Sequence, residues 1–291
     1  MSNNYKMTFS GHESFQCRQL WLKKGYDFVV QGKSFNSDDA VVELGVGKNM
    51  VSSIRYWMKA FNLLTKDDKL TIFASKLLSD DGWDPYLEDE GSLWLLHYHL
   101  VKSGFASTYS IVFNELRKEK IEFTRDNFIS LVKRKSDFEK TFFFNERTLI
   151  EDFSVMTKMY QRSNSSSKDK EDSFSGLLTD LDLIKSYTKS KEDFLIIENT
   201  ERPEIPAEII LFAILDNETF DKSVNFNAIE QNYNSVGSVF AINRPGLLQK
   251  IDALTTKYTK NLTFNDHAGI KELQFKVKPT AMSILNKYYA N

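Results

Sequence analysis

The chain has 291 residues, 41% of them hydrophobic and 27% charged, the balance of a soluble globular protein with more than one core. Thirty-eight basic against 40 acidic residues give a net charge of −2, so any nucleic-acid contact must come from a local patch rather than a global basic field. A single cysteine, Cys17, excludes an internal disulfide framework. With four histidines it also excludes a cysteine-rich zinc module.

No apolar run reaches the roughly 18 to 20 residues that span a bilayer, and Met1 to Thr8 lacks a signal-peptide core. The expectation is a cytoplasmic protein of two or three domains. Glycine and proline, at 12 and five, are too scarce for propeller or glycine-rich nucleotide-binding designs. The 23 phenylalanines are spread through segments of helical period and are expected in the core.

The first predicted helix runs from Ser14 to Lys24 and stops at Gly25. Ser37 then caps a short helix, Asp38 to Leu44, whose first turn the dipole favours. Gly45-Val46-Gly47 breaks it, and a longer helix runs from Lys48 or Asn49 to about Phe61. Val51, Ile54, Trp57, Met58 and Phe61 form its apolar face. The opposite face carries Lys48, Asn49, Ser52, Arg55, Tyr56 and Lys59. Two predicted strands, Leu63 to Thr65 and Leu70 to Phe73, follow around the polar turn Lys66 to Lys69. A helix pair followed by a hairpin is a winged-helix pattern.

After this the chain turns acidic, from Asp80 to Glu90. Ser92 to Val101 is apolar nearly all round and predicts a buried helix. Helical pattern continues through Thr108 to Glu115. A basic run of modest excess follows, with Arg117, Lys118, Lys120, Arg125, Lys133, Arg134 and Lys135, and then a capped helix from Asn145 to Tyr160. Ser163 to Asp172 has no apolar residue and predicts a linker.

Beyond it, a small helix-and-strand element is expected over Leu177 to Ile184 and Asp193 to Ile197. Further helices are predicted over Pro206 to Leu215, Phe226 to Asn232, Pro245 to Tyr258 and Pro279 to Tyr289. Leu262 to Phe264 and Ile270 to Phe275 predict a second wing. The domains expected are 1–80, helix plus winged helix; 81–162, helical with the basic run; 163–172, linker; and 173–291, winged-helix-like. The fold class is mainly α with small β-hairpins, α+β, in tandem winged-helix-like domains.

Catalytic and metal motifs fail on spacing. Gly45-Val46-Gly47-Lys48 has Val42 and Asn49 where a phosphate loop needs glycine and a hydroxyl residue. His97 and His99 stand two apart, face different sides of a helix and are expected to be buried. His12-Glu13 is not followed by a second histidine at zinc-protease spacing, so capping and local packing are expected of it. His267 reads as a turn residue. No serine elbow, Cys-His pair or deaminase signature is present. No catalytic residue, metal or cofactor is therefore expected.

The mixture of Lys, Asn, Ser, Arg and Tyr on one helix suits both phosphates and base edges. Asn49, Ser52 and Tyr56 are expected nearest the bases of double-stranded DNA. Lys48, Arg55 and Lys59 would meet phosphate, as would Lys66 and Lys69 from the wing.

The segments FSGHESFQCRQLWLKKGYDFV (9–29), DDAVVELGVGKNMVSSIRYWMKAFNLL (38–64) and DPYLEDEGSLWLLHYHL (84–100) resemble a bacterial family of unknown function, number four-thousand-seven. The stretches 145–160, 235–248 and 266–275 are similar to its later pattern. The resemblance supplies no catalytic residue. It implies a setting near phosphoadenosine phosphosulfate reductase-like proteins and DNA-modification or phage-defence genes. The expected function is a non-catalytic winged-helix DNA-binding accessory or regulator of such a system, working beside its other proteins. Two alternatives stand: an interaction scaffold that docks a partner through the acidic loop, and a nuclease or DNA-modifying subunit whose carboxylates converge.

Overall fold

The computed structural model describes residues 7–139, 144–162, 175–267 and 269–290. The chain is α+β, mainly helical with two small three-stranded antiparallel sheets. It divides into two compact units, Met1–Ile197 and Glu198–Asn291. The expected linker 163–172 lies outside the described residues. The segment from Ser175 to Ile197 still belongs to the first unit, where the Leu177 N–H donates to the Cys17 carbonyl at 2.9 Å.

In the first unit α1 spans Trp21–Val30, not Ser14 to Lys24. Glu13 and Ser14 hold left-handed backbone, φ 49° and 62°, which no helix accepts. Gly25 lies inside α1 rather than ending it. A Cβ there would sit 2.2 Å from Met58 Sδ and 3.0 Å from Ile54 Cγ2, so the glycine lets α1 close onto the next long helix. The short helix α2, Ala40–Leu44, is capped at its end by left-handed Gly45, and α3 follows at Lys48–Ala60. Asp39, not Ser37, occupies the N-cap position of α2.

The first expected wing does not form a hairpin. Leu64 and Leu70 pair in one isolated bridge. Thr71 then accepts the Ala74 N–H at 3.1 Å and caps α4, Ile72–Leu78. A threonine N-cap decides the helix against the β-propensity of Ile72 and Phe73.

The expected buried helix is α5, Glu90–Ser103, with Trp94, Leu95, Leu96, His97 and Leu100 fully enclosed. Helix α6, Ser107–Ile111, runs through a π-turn, Val112–Leu116, into α7, Arg117–Glu119. Strand β1, Glu122–Phe123, precedes α8, Arg125–Glu139, and α9, Glu146–Tyr160, whose N-cap Asn145 accepts from Thr148 N–H. Strands β2, Lys185–Lys189, and β3, Glu192–Ile196, form a hairpin in the order β1-β3-β2. Left-handed Ser190 and Lys191 make its two-residue turn. Phe61, Phe113, Phe123 and Phe128 sit in the core with Trp57, Trp94 and Tyr160.

The second unit runs α10, Ala207–Leu215; β4, Ser223–Asn225; α11, Phe226–Gln231; α12, Val236–Val239; and α13, Arg244–Lys257. Strands β5, Leu262–His267, and β6, Ile270–Phe275, follow, and α14, Ala281–Tyr288, closes the chain. The expected hairpin forms here in full, from Leu262 opposite Phe275 to His267 opposite Ile270. Strand β4, which the sequence pattern does not announce, adds to its far side in the order β4-β6-β5.

Asn243 caps α13 by accepting the Gly246 N–H at 2.9 Å. A Cβ on Gly246 would lie 2.2 Å from the Glu201 carbonyl oxygen, a backbone atom with no rotamer to yield. Gly246→Ala is therefore expected to cost about 2 kcal/mol through overpacking. Urea denaturation would measure this, and an unchanged midpoint would show that the 198–205 segment gives way freely.

Candidate nucleic-acid interface

Helix α3 is covered on most sides. Its open arc is the row Lys48, Ser52, Arg55 and Lys59, three and four apart, with Asn49 exposed beside it in the first turn. Gly47 caps the helix without a side-chain hydrogen bond. No side chain of the cap residue satisfies the first-turn N–H groups beside Lys48, and a helix N-terminus of this kind suits anions.

Tyr56 does not belong to this arc, a correction to the expected base-reading set. It is 8% exposed and packs edge-on against Trp57 and His12, at ring distances of 5.0 and 5.8 Å. It also tilts against Phe105 at 5.2 Å. Burial, with the nearby Asp152 carboxylate, raises its phenol well above the ordinary tyrosine range. Tyr56 is a core residue that holds α3 in place.

Below the arc lies the turn Thr65 to Lys69, closed by Thr65 N–H to the Lys69 carbonyl at 2.8 Å and Asp68 N–H to the Thr65 carbonyl at 3.1 Å. Lys66 and Lys69 are exposed on it. Asp68, at φ 59°, turns back onto α3. Arg55 donates to both its oxygens, Nε at 2.9 Å and a terminal nitrogen at 2.6 Å, and Lys59 Nζ lies 2.8 Å away. Lys59 Nζ also donates to the Lys66 carbonyl at 3.0 Å.

Burial would raise the Asp68 carboxyl, but hydrogen bonds from Arg55 and Lys59 outweigh it and hold the group below the usual carboxylate range. The turn is thus clamped to the helix by charge, though no wing hairpin exists. Arg55 and Lys59, expected as phosphate contacts, spend much of their charge on this clamp. Lys48, Lys66 and Lys69 remain the outward cations.

A second constellation has no signature in the local sequence. Asp152 on α9 is 5% exposed and accepts from Ser10 N–H at 2.9 Å, His12 Nε2 at 2.7 Å and Thr108 Oγ1 at 3.1 Å. Ser14 N–H points at His12 Nδ1 at 3.2 Å, so Nε2 carries the proton donated to Asp152. The imidazole stacks on Trp57 of α3, planes 12° apart at 6.1 Å. His12 does not cap the following helix, whose N-cap position is Leu20, and instead of the local packing expected of it, it is held by a partner 140 residues away, which no local signal could announce. His97 and His99 are buried as expected.

These features define a two-unit α+β protein with a short-helix, glycine-turn, long-helix motif and a basic outer edge. The chain matches the family described as "Protein of unknown function (DUF4007)" over residues 9–289 and belongs to that family. The magnesium ion-bound SspB crystal structure is 29% identical, with a TM-score of 0.86 over 98% of this chain and 88% of that one. A second SspB crystal structure is 28% identical, with a TM-score of 0.83 and the same coverages. Among proteins with curated descriptions, none matches this chain.

Magnesium is named for that relative. Among the described residues here, no three His, Cys, Asp or Glu side chains gather to hold a metal ion. No described helix is long and apolar enough to cross a membrane.

Proposed function

We propose that this protein is a non-catalytic DNA-binding accessory or regulator of a bacterial defence or DNA-modification system, acting beside that system's other proteins. The first unit docks on double-stranded DNA through the N-terminus of α3 and the clamped turn. Asn49 and Ser52 face base edges, and Lys48, Lys66 and Lys69 meet phosphates. The supporting observation is the Lys48–Ser52–Arg55–Lys59 row, exposed at Lys48 and Ser52 and half-buried at Arg55 and Lys59, beside a turn fixed by Asp68. The second unit is read as a winged helix, because its order of helix, strand, helices, strand and strand, with β6 central in the sheet, is that fold's topology.

The test is a salt titration of binding to random duplex, comparing the wild type with the triple variant Lys48→Ala, Lys66→Ala, Lys69→Ala. Each phosphate contact contributes about 0.9 to the slope of log K against log salt, so the triple variant should flatten it by between about 2 and 3. Equal slopes in the two proteins would remove this surface from the DNA. Absence of duplex binding by the wild type even at low salt favours the protein-docking reading, for which Val42 of α2 (81% exposed) and Ile72 of α4 (74%) are open apolar contacts.

A further inference from the structure

The second unit carries a cavity of about 480 Å³ where α13 ends and α14 passes. Its wall holds Lys257, Lys260 and Lys287, with Tyr258, Thr259 and Asn261 between them, and no carboxylate among the described residues lines it. The local fold fixes these groups. Tyr258 ends α13, and the Asn261 and Leu262 N–H groups both return to its carbonyl, at 2.8 and 2.9 Å. The Asn261 amide donates to the Val277 carbonyl at 3.1 Å, which leaves its side-chain oxygen and second N–H at the wall. Lys276 donates to the Thr259 carbonyl at 3.1 Å and so helps to fix the wall.

The Tyr258 ring is largely buried in the cavity wall. Lys257 lies 6.0 Å and Lys287 5.6 Å from its centroid. Behind this wall stands Glu208 on α10. It is buried and bonded to Lys257, so it offsets that ammonium. Lys260 is exposed at the mouth. Helix-end lysines alone would suit the α13 and α14 dipoles. Their convergence on one concavity with a hydroxyl and an amide goes beyond that need.

We propose that this cavity binds a phosphate group, with Lys260 and Lys287 contacting its oxygens and Thr259 and Asn261 supplying neutral hydrogen bonds. The phosphate can belong to a small molecule or to a nucleic-acid strand, which share this chemistry. The inference does not depend on the DNA reading of the first unit.

The experiment titrates pyrophosphate, and separately a short single-stranded oligonucleotide, into the full chain carrying Lys48→Ala, Lys66→Ala and Lys69→Ala, so that the first unit's surface is silent. Calorimetry at low ionic strength, with chloride at matched strength as the blank, reads the affinity. Adding Lys260→Glu and Lys287→Glu should weaken binding by about tenfold or more, with the circular dichroism spectrum unchanged. If that variant misfolds, Lys260→Gln alone should give a smaller loss in the same direction.

Saturable pyrophosphate binding that the substitutions weaken supports a free phosphate ligand. Oligonucleotide binding alone, weakened likewise, supports a strand backbone. Binding of neither probe, or binding that the substitutions leave intact, overturns the proposal.

Discussion

Asp152→Ala is expected to lower the stability of the first unit by about 4 kcal/mol, among the largest single-residue effects in this molecule. The carboxylate gathers three donors from two distant segments: Ser10 N–H and His12 Nε2 from the N-terminal stretch, and Thr108 Oγ1 from α6. Removing it leaves those donors buried without an acceptor, each at about 1–3 kcal/mol before relaxation. Relaxation is restricted, because His12 is stacked on Trp57, and a Cβ on Gly11 would meet the Tyr56 ring at 2.8 Å.

The consequence passes directly to α3, since Tyr56 and Trp57 are the residues that seat it. Asp152→Asn, which keeps the shape and one acceptor oxygen, should lose about half as much. Thermal unfolding followed by circular dichroism measures both, with a fall of about 10 °C for alanine in a unit of this size. A fall of less than about 3 °C would mean that the N-terminal segment finds other partners and that the cluster does not hold α3.

How much of the fold is legible in the sequence depends on whether the deciding partner is near along the chain. Helix α5 is readable because SLWLLHYHLV is apolar on every side, and only burial on all sides suits that. The body of α3 is readable from Val51, Ile54, Trp57 and Met58 at three- and four-residue spacing. Its outer face is not. At about 100° per residue, Tyr56 lies only about 40° from Ser52, so the wheel places it with the polar residues. What buries it is the segment around Gly11 and His12, together with Phe105, and the wheel contains neither.

Gly25 departs from its local signal for a related reason. A glycine late in a helix signals a stop, but the same missing Cβ serves close helix approach, and only the position of Met58 separates the two. The Leu70 to Phe73 run has the composition of a strand, and the Thr71 cap turns it into the start of a helix. In the second unit the hairpin around residues 265–269 is legible because turn residues and alternating strands are local. Strand β4 is three residues long and pairs with the distant β6, opposite Leu273 and its neighbours, so its pattern is too short to register.

Asp68→Asn should tighten DNA binding at low salt by about two- to fivefold and steepen its salt dependence by up to about one to two contacts. The reason lies in the clamp. Asp68 neutralises charge on Arg55 and Lys59, the half-buried members of the α3 row. Asparagine tolerates the left-handed backbone of this position and can still accept from Arg55, so the turn keeps its course while the negative charge disappears.

A structural role alone predicts the opposite, a looser turn and weaker binding, and that outcome would remove Arg55 and Lys59 from the interface. Acidification should not imitate the substitution. The carboxyl is held below its ordinary range, so its ion pairs are complete above the usual carboxylate pKa and fail only as pH falls through the lowered value. Between about pH 5 and about pH 7.5 the difference in affinity between the wild type and Asp68→Asn should therefore stay constant. Measured across that range in the same salt series, a constant difference assigns the effect to charge on α3 rather than to a titrating neighbour.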